Sequence, residues 1–390
     1  MRRITECGIS GGEDFHSLWK LPEFPLTERF GPFNPNQGLA FDQQLIISLP
    51  AGHVQLQNQL DPRVLYSSTD YKFRTGNSQR SRKDVDFFRD YLKKITSNRR
   101  FKSVVDVGGN DLFTMRALAD IADNRAVIDP ICVSQHGQTL DGVKVLGRFA
   151  EEVDYASDIA PPDLLICRHT LEHFACPHAV VSQWFQQCPS ECLFVIEVPC
   201  FDNLIESFRF DAVFHQHLHY FDLYSLKYLI WQCGGEYLNH TVNYQGSCGG
   251  TLILAFRKAA KKQPAPTTDL RNRISRIEKQ ILLYETQMVL MKQQLENLPK
   301  PVFGYGASVM LASLAYHLET DFSFLECILD DNPVLDGLSY ENVRVKVKHT
   351  EKVTPRADSS YLITSLENIR VIYQRIVNLS PRRILTPFIT

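Results

Sequence analysis

The chain has 390 residues, 44% hydrophobic and 22% charged, with 20 glycines, 20 prolines and a formal net charge of −2. That length exceeds one ordinary core and predicts two or three domains. The near-zero charge argues against a general nucleic-acid or membrane-surface binder, since either usually needs a basic face. No apolar run approaches ~18 residues, so no membrane span is expected. The first residues lack the apolar stretch of a signal peptide. The ten cysteines are scattered, several in apolar runs (Cys167, Cys200, Cys327), which suits reduced thiols and a cytoplasmic location.

Residues 1–85 are rich in turn formers, with Pro22, Pro25, Pro32, Pro35 and Pro50 as breakers, and read as an irregular N-terminal domain. From 86 to 260, short apolar runs alternate with helical stretches. Val104–Val107, Arg125–Asp129, Leu164–Cys167 and Leu193–Glu197 each read as a buried strand. Such alternation predicts an α/β domain whose parallel sheet is covered on both faces. After the polar linker Ala259–Pro266 comes a heptad-patterned helix over 266–298. Leu270, Ile274, Ile277, Ile281, Tyr284, Met288, Met291, Leu295 and Leu298 alternate spacings of four and three. It is either a coiled-coil strand or a connecting helix packed on its own protein, which leaves monomer and homodimer both open. Residues 299–390 form a smaller α/β unit with strands at Val302–Tyr305, Cys327–Asp330 and Tyr361–Ile363.

The first strand of the larger unit runs into Asp106-Val107-Gly108-Gly109-Asn110-Asp111, a glycine turn that lets backbone approach a ligand at the carboxyl edge of a sheet. Asp129 closes the next strand, where an acid can accept both hydroxyls of a ribose. A later strand ends in Arg168-His169-Thr170-Leu171-Glu172-His173, a segment carrying two histidines that read equally as site or capping residues.

At these residues the sequence resembles class I S-adenosylmethionine methyltransferases, with a Rossmann-like domain. Gly108-Gly109-Asn110-Asp111 is similar to the Gly-Ser-Asn-Asp-Gly turn of one subgroup, the three-domain sugar C-methyltransferases. Those enzymes methylate a carbon beside the ketone of a nucleotide-linked deoxysugar. Further segments follow in that family's order: Tyr71-Lys72-Phe73 with Ser78, Glu197-Val198-Pro199, Phe214-His215-Gln216-His217, Gly249-Gly250-Thr251, Gly304-Tyr305-Gly306-Ala307 and Asp330-Asp331-Asn332-Pro333. The resemblance implies S-adenosylmethionine as cofactor, leaving as S-adenosylhomocysteine, held by Tyr71, Asp106, Gly108, Gly109, Asn110, Asp129, Arg168 and His169. It implies a small-molecule acceptor, a nucleotide-sugar, against Phe214, His173, Gly249, Gly250, Thr251 and Tyr305. Carbon methylation beside a ketone needs a base and donors for the enolate oxygen. The resemblance puts the base at His217, with His215 second and Gln216 between them.

Departures from the family are informative. Its zinc module presents two Cys-x-x-Cys pairs, but Cys7 is followed by Ser10, and Ser48 and Ala51 fill the second pair. One thiolate cannot close a tetrahedral site, so no zinc and no other metal is expected. Leu112 stands where the cofactor turn ends in glycine, Phe214 replaces a tyrosine and Gln216 an acid. Ile253, Met310 and Leu335 replace cations, removing much of what binds a diphosphate. Two alternatives therefore stand beside sugar C-methylation: a methyltransferase of the same fold acting at oxygen or nitrogen of another small molecule, and a non-catalytic descendant that binds a ligand or partner.

Overall fold

The computed structural model describes residues 1–27, 30–33, 40–61, 65, 79–353 and 358–387. Tyr71, Lys72, Phe73 and Ser78 lie outside the described residues.

Among its described residues the N-terminal domain holds a sheet, where irregular chain was expected. Strands β1 (Phe15–Pro25), β2 (Ala40–Ser48) and β3 (Val54–Leu56) form an antiparallel sheet in chain order. Pro22 reads as a breaker, yet the strand continues through it because the register shifts between Leu21 and Phe24. That irregularity takes Pro22, which has no N–H, and Glu23, at φ 48°, out of the ladder. The strand His219–Tyr220 reaches in from later in the chain and pairs with β3, so the N-terminal sheet is completed by the next domain.

Helix α1 (Gln79–Ile95) precedes the central sheet. Its strands are β4 (Phe101–Val107), β5 (Ala122–Ile128), β6 (Thr139–Leu140), β7 (Val143–Leu146), β8 (Leu164–Arg168), β9 (Leu193–Pro199), β10 (Gly235–Asn243) and β11 (Thr251–Lys258). Their spatial order is β10-β11-β9-β8-β4-β5-β7-β6. The run from β9 to β7 is parallel. The expected wholly parallel sheet needs correction at its ends: β11 lies antiparallel to β9 and to β10, and β6 antiparallel to β7. Residues 244–250 are too few for a crossover, so β10 and β11 form a hairpin. Every residue of β8 is buried, as a strand covered on both faces requires. Helices α2 (Phe113–Ala117), α3 (Pro177–Gln187), α4 (Phe201–Glu206) and α5 (Leu223–Gln232) fill the connections.

The heptad helix is α6 (Leu270–Glu296), and its seam faces its own protein. Ile277, Ile281, Tyr284, Met288, Met291 and Leu295 join one apolar cluster with Trp19 of β1, Phe210 and Leu314. Trp19 Nε1 donates to Glu285 at 2.8 Å, and Arg273 pairs with the buried Asp222, tying the helix to both preceding domains. The C-terminal domain is a parallel sheet of β12 (Val302–Tyr305), β13 (Ile328–Asp330), β14 (Val347–His349), β15 (Ser360–Ile363) and β16 (Arg383–Leu385), in the order β14-β13-β12-β15-β16. Leu314 and Leu318 of this domain pack on the α6 cluster.

Candidate active site

The parallel strands β4, β5 and β8 deliver their C-terminal ends to one edge of the central sheet, where an open α/β sheet binds ligands. β4 ends in the glycine turn. Gly108 sits at φ 81°, and a Cβ there would meet Thr170 Oγ1 at 1.9 Å, so only glycine lets the exit of β8 close on this turn. A Cβ on Gly109 would meet both methyls of Val127 at 2.7 Å. Asn110 (φ 46°) and Leu112 (φ 63°) both occupy the left-handed region. Leu112 thus keeps the conformation that favours glycine, and its side chain is 3% exposed in the core beneath the sheet. Three such residues, with His169 at φ 51°, concentrate backbone strain at this edge.

Asp129 accepts the Asn110 amide on Oδ2 at 2.8 Å and the Ile131 amide on Oδ1 at 2.9 Å. It therefore holds the turn in shape. Asp106, 1% exposed at the end of β4, has no hydrogen-bond partner for Oδ1 among the described residues. Burial, with Asp129 adding to it against the pull of Arg168, pushes its carboxyl up to about 7. An acid so placed gains by meeting a cationic ligand group. These features fit the adenosine and amino-acid ends of S-adenosylmethionine.

The second half of the site is where β8 exits. Glu172 is 1% exposed, and neither of its oxygens has a hydrogen-bond partner among the described residues. His169 Nδ1 stands 3.8 Å from Oε1 of Glu172 and His217 Nε2 4.0 Å from it. The Leu218 amide donates to the Glu172 carbonyl at 2.8 Å, which clamps the 214–218 segment onto the β8 exit. His173 Nδ1 bonds the Gln216 carbonyl at 2.8 Å, and its ring meets that of His217 edge-on at 4.9 Å. Phe214 lies over His217 with ring centroids 4.1 Å apart. Burial pushes the Glu172 carboxyl up to about 8, and burial together with His173 and His169 holds His217 well below its usual value. Gln216 brings no acid to His217; the Glu172 carboxyl comes from the other segment and stands 4.0 Å away.

The remaining expected residues divide. His215 points the other way: its ring nitrogens meet Gln43 Nε2 at 3.2 Å and the Phe24 carbonyl at 3.0 Å, both in the N-terminal sheet. The Gln216 side chain accepts from Thr27 at 3.3 Å. Arg168 is committed to Glu197 (2.6 Å) and Thr114 (2.9 Å) and lies over the Phe88 ring. Thr251 is buried and donates to Glu197 at 2.8 Å. Gly249 and Gly250, at φ 85° and 131°, pack against Arg209 and Asn203. Glu367 of the C-terminal domain accepts the Cys248 amide at 3.0 Å and an Arg209 bond at 2.8 Å, so that domain borders this loop. Tyr305 donates to Asp331 at 3.1 Å within the C-terminal domain. Glu172 carried no expected role, and its signal was present only as the Leu-Glu-His run before a second histidine segment.

At the positions that the resemblance assigns to a zinc module the chain forms tight turns. Ser10 and Gly11 donate to the Cys7 carbonyl, and Gly52 to that of Ser48. Cys7 and Ala51 are buried in the apolar cluster they share with Ile9.

Residues 77–240 match the profile of a family described as a methyltransferase domain. The C-methyltransferase NovU of Streptomyces niveus is 23% identical over 274 residues, covering 68% of this chain and 64% of that protein. The chain thus spans just under two thirds of that relative's length. Among solved structures, the N-methyltransferase NodS from Bradyrhizobium japonicum WM9 in complex with S-adenosyl-l-homocysteine is 12% identical, covering 49% of this chain and 93% of that one, at a TM-score of 0.38. The plantazolicin methyltransferase BpumL in complex with a desmethylPZN analog and S-adenosylhomocysteine is 10% identical, covering 45% and 83%, at a TM-score of 0.34. Over residues 77–240 the chain is thus similar to a methyltransferase domain.

Proposed function

We propose that this methyltransferase domain C-methylates a nucleotide-linked keto-deoxysugar, with the enolate formed against the histidine cluster. The observation that carries the reading is the convergence of Glu172, His173 and His217 beside the cofactor turn, joined by the Leu218–Glu172 backbone bond. A methyl acceptor at oxygen or nitrogen needs less proton-handling machinery than a carbon acid, and this edge has an unusual amount of it.

In the proposed reaction the acceptor's C–H bond beside the ketone breaks, its proton leaving to an imidazole of the cluster, the role the family resemblance gives His217. The electron pair remains as an enolate. Its carbon bonds the methyl group as the carbon–sulfur bond breaks, and that pair stays on sulfur, giving S-adenosylhomocysteine. Alignment of carbon, methyl and sulfur supplies much of the acceleration. Asp106 and Asp129, with the turn between them, hold the donor. Phe214, His173 and the Gly249–Thr251 loop, bordered by Glu367, frame the acceptor. Ile253 is buried within β11, facing the core, so the loss of an arginine there leaves packing in place of a cation.

The test uses isotope-labelled S-adenosylmethionine with a panel of nucleoside-diphosphate-linked 4-keto-6-deoxyhexoses in deuterated water. Deuterium exchange and a new C-methyl signal, both lost in His217→Ala, are expected. Methyl transfer to oxygen or nitrogen without exchange, or no transfer to any member, overturns the reading.

A further inference from the structure

We propose that Glu172, His173 and His217 form a divalent transition-metal site on the acceptor side of the cofactor turn. One ligand atom from each lies within 4.8 Å of the others. Both oxygens of the buried Glu172 carboxylate lack a hydrogen-bond partner among the described residues, and its nearest imidazole nitrogens, at 3.8 and 4.0 Å, are beyond hydrogen-bond range. A buried carboxylate without partners is costly unless a cation meets it.

The surrounding structure holds the three side chains in place. The bond from His173 Nδ1 to the Gln216 carbonyl puts the proton on Nδ1 and leaves Nε2 with its lone pair, the second-sphere arrangement that prepares an imidazole for a metal. His217 turns Nε2 toward Glu172. The Leu218–Glu172 backbone bond fixes the two segments that supply the ligands. Ligand atoms around a tetrahedral ion with bonds of about 2.1 Å stand roughly 3.4 Å apart, so the 4.0 Å between Glu172 and His217 needs only a small side-chain rotation to close.

Two imidazoles and one carboxylate select zinc, manganese or iron(II) over the harder magnesium and calcium, and three protein ligands leave a position open. Resting on the proposed carbon methylation, that open position takes the ketone oxygen and stabilises the enolate as a Lewis acid does. With His217 holding the metal, the proton passes instead to His169, whose imidazole stays outside the metal set, and His217→Ala stops exchange by removing the metal.

The experiment strips the full-length protein with a chelator and titrates it with cobalt(II), whose spectrum reports its donors, and separately with zinc by calorimetry. One equivalent of cobalt with a nitrogen–oxygen spectrum is expected, with affinity for both ions at least tenfold lower in Glu172→Gln and in His217→Ala. A thiolate charge-transfer band, pointing to the cysteines, overturns the proposal, as does absence of stoichiometric uptake. Unchanged affinity in both variants does the same. The wild-type spectrum identifies the donors even if a variant misfolds. Metal uptake with no methyl transfer to any keto-sugar leaves the site standing and removes its role in carbon methylation.

Discussion

The amide of Asn110 donates to Oδ2 of Asp129 at 2.8 Å, so the acid closing one strand shapes the glycine turn that follows its neighbour. The C-terminal domain repeats the device: Ala307 donates to Oδ2 of Asp330 at 2.7 Å, and Asn332 to its Oδ1 at 2.8 Å. Each carboxylate bridges two amides at the carboxyl edge of a parallel sheet.

Asp129→Ala and Asp330→Ala each leave two amides without that acceptor. The loss is about 1–3 kcal/mol in each case, at roughly 1 kcal/mol per hydrogen bond. Denaturant melts of each variant should show losses of similar size. A loss at one site and none at the other contradicts the parallel.

Leu112 combines a left-handed backbone with a buried side chain. Removing the side chain as Leu112→Ala costs about 2–5 kcal/mol. Glycine ordinarily loses a further ~0.5–1 kcal/mol to chain entropy, but here it escapes ~1–2 kcal/mol of left-handed strain. Chemical denaturation should therefore find Leu112→Gly at least as stable as Leu112→Ala. The usual order, alanine ahead by a kilocalorie, contradicts the strain at this turn.

Asp106 makes stability and cofactor affinity depend on pH in opposite directions. Burial raises its carboxyl to about 7, so the folded chain keeps a proton that the unfolded chain releases near 4. Its contribution to stability is present below about pH 4 and lost as pH rises to about 7, a swing on the order of 4 kcal/mol. Asp106→Asn removes that swing and is relatively more stable at pH 8. S-adenosylhomocysteine carries an ammonium that gains from ionised Asp106, so its affinity rises between pH 6 and 8 in the wild type alone. Calorimetry across that range checks it, and a flat profile contradicts it.

Arg168 and Glu197 form a buried pair at 2.6 Å, with Thr251 and Thr114 completing it. Arg168→Ala strands the Glu197 charge and costs about 3–5 kcal/mol. Adding Glu197→Gln should recover part of that loss, because the stranded charge goes with it. A double variant that melts below the single one contradicts this account.

The buried strands β4, β5, β8 and β9 were legible because each carries a short, mostly apolar stretch, although the polar openings of β4 and β5 left their starts unread. The N-terminal sheet was not, since Pro22 breaks the pattern and only the register shift beside it reveals how the strand continues. The β10–β11 hairpin was hidden for another reason: Glu236, Asn239 and His240 give β10 a half-exposed, polar face. The glycine turn at the end of β4 was readable because glycines and acids follow one another along the chain. The place of Glu172 was not, because it depends on a backbone contact with Leu218, which only the folded chain makes. His215 reads as a twin of His217, and pairing with Gln43 separates the two.

Binding at the glycine turn is tested by calorimetric titration of the folded protein with S-adenosylhomocysteine, beside Asp129→Ala shown by circular dichroism to be folded. Micromolar binding by the wild type and at least tenfold weaker binding by the variant are expected. No binding by the folded wild type, or equal binding by both, contradicts the cofactor site on which the proposed methyl transfer depends.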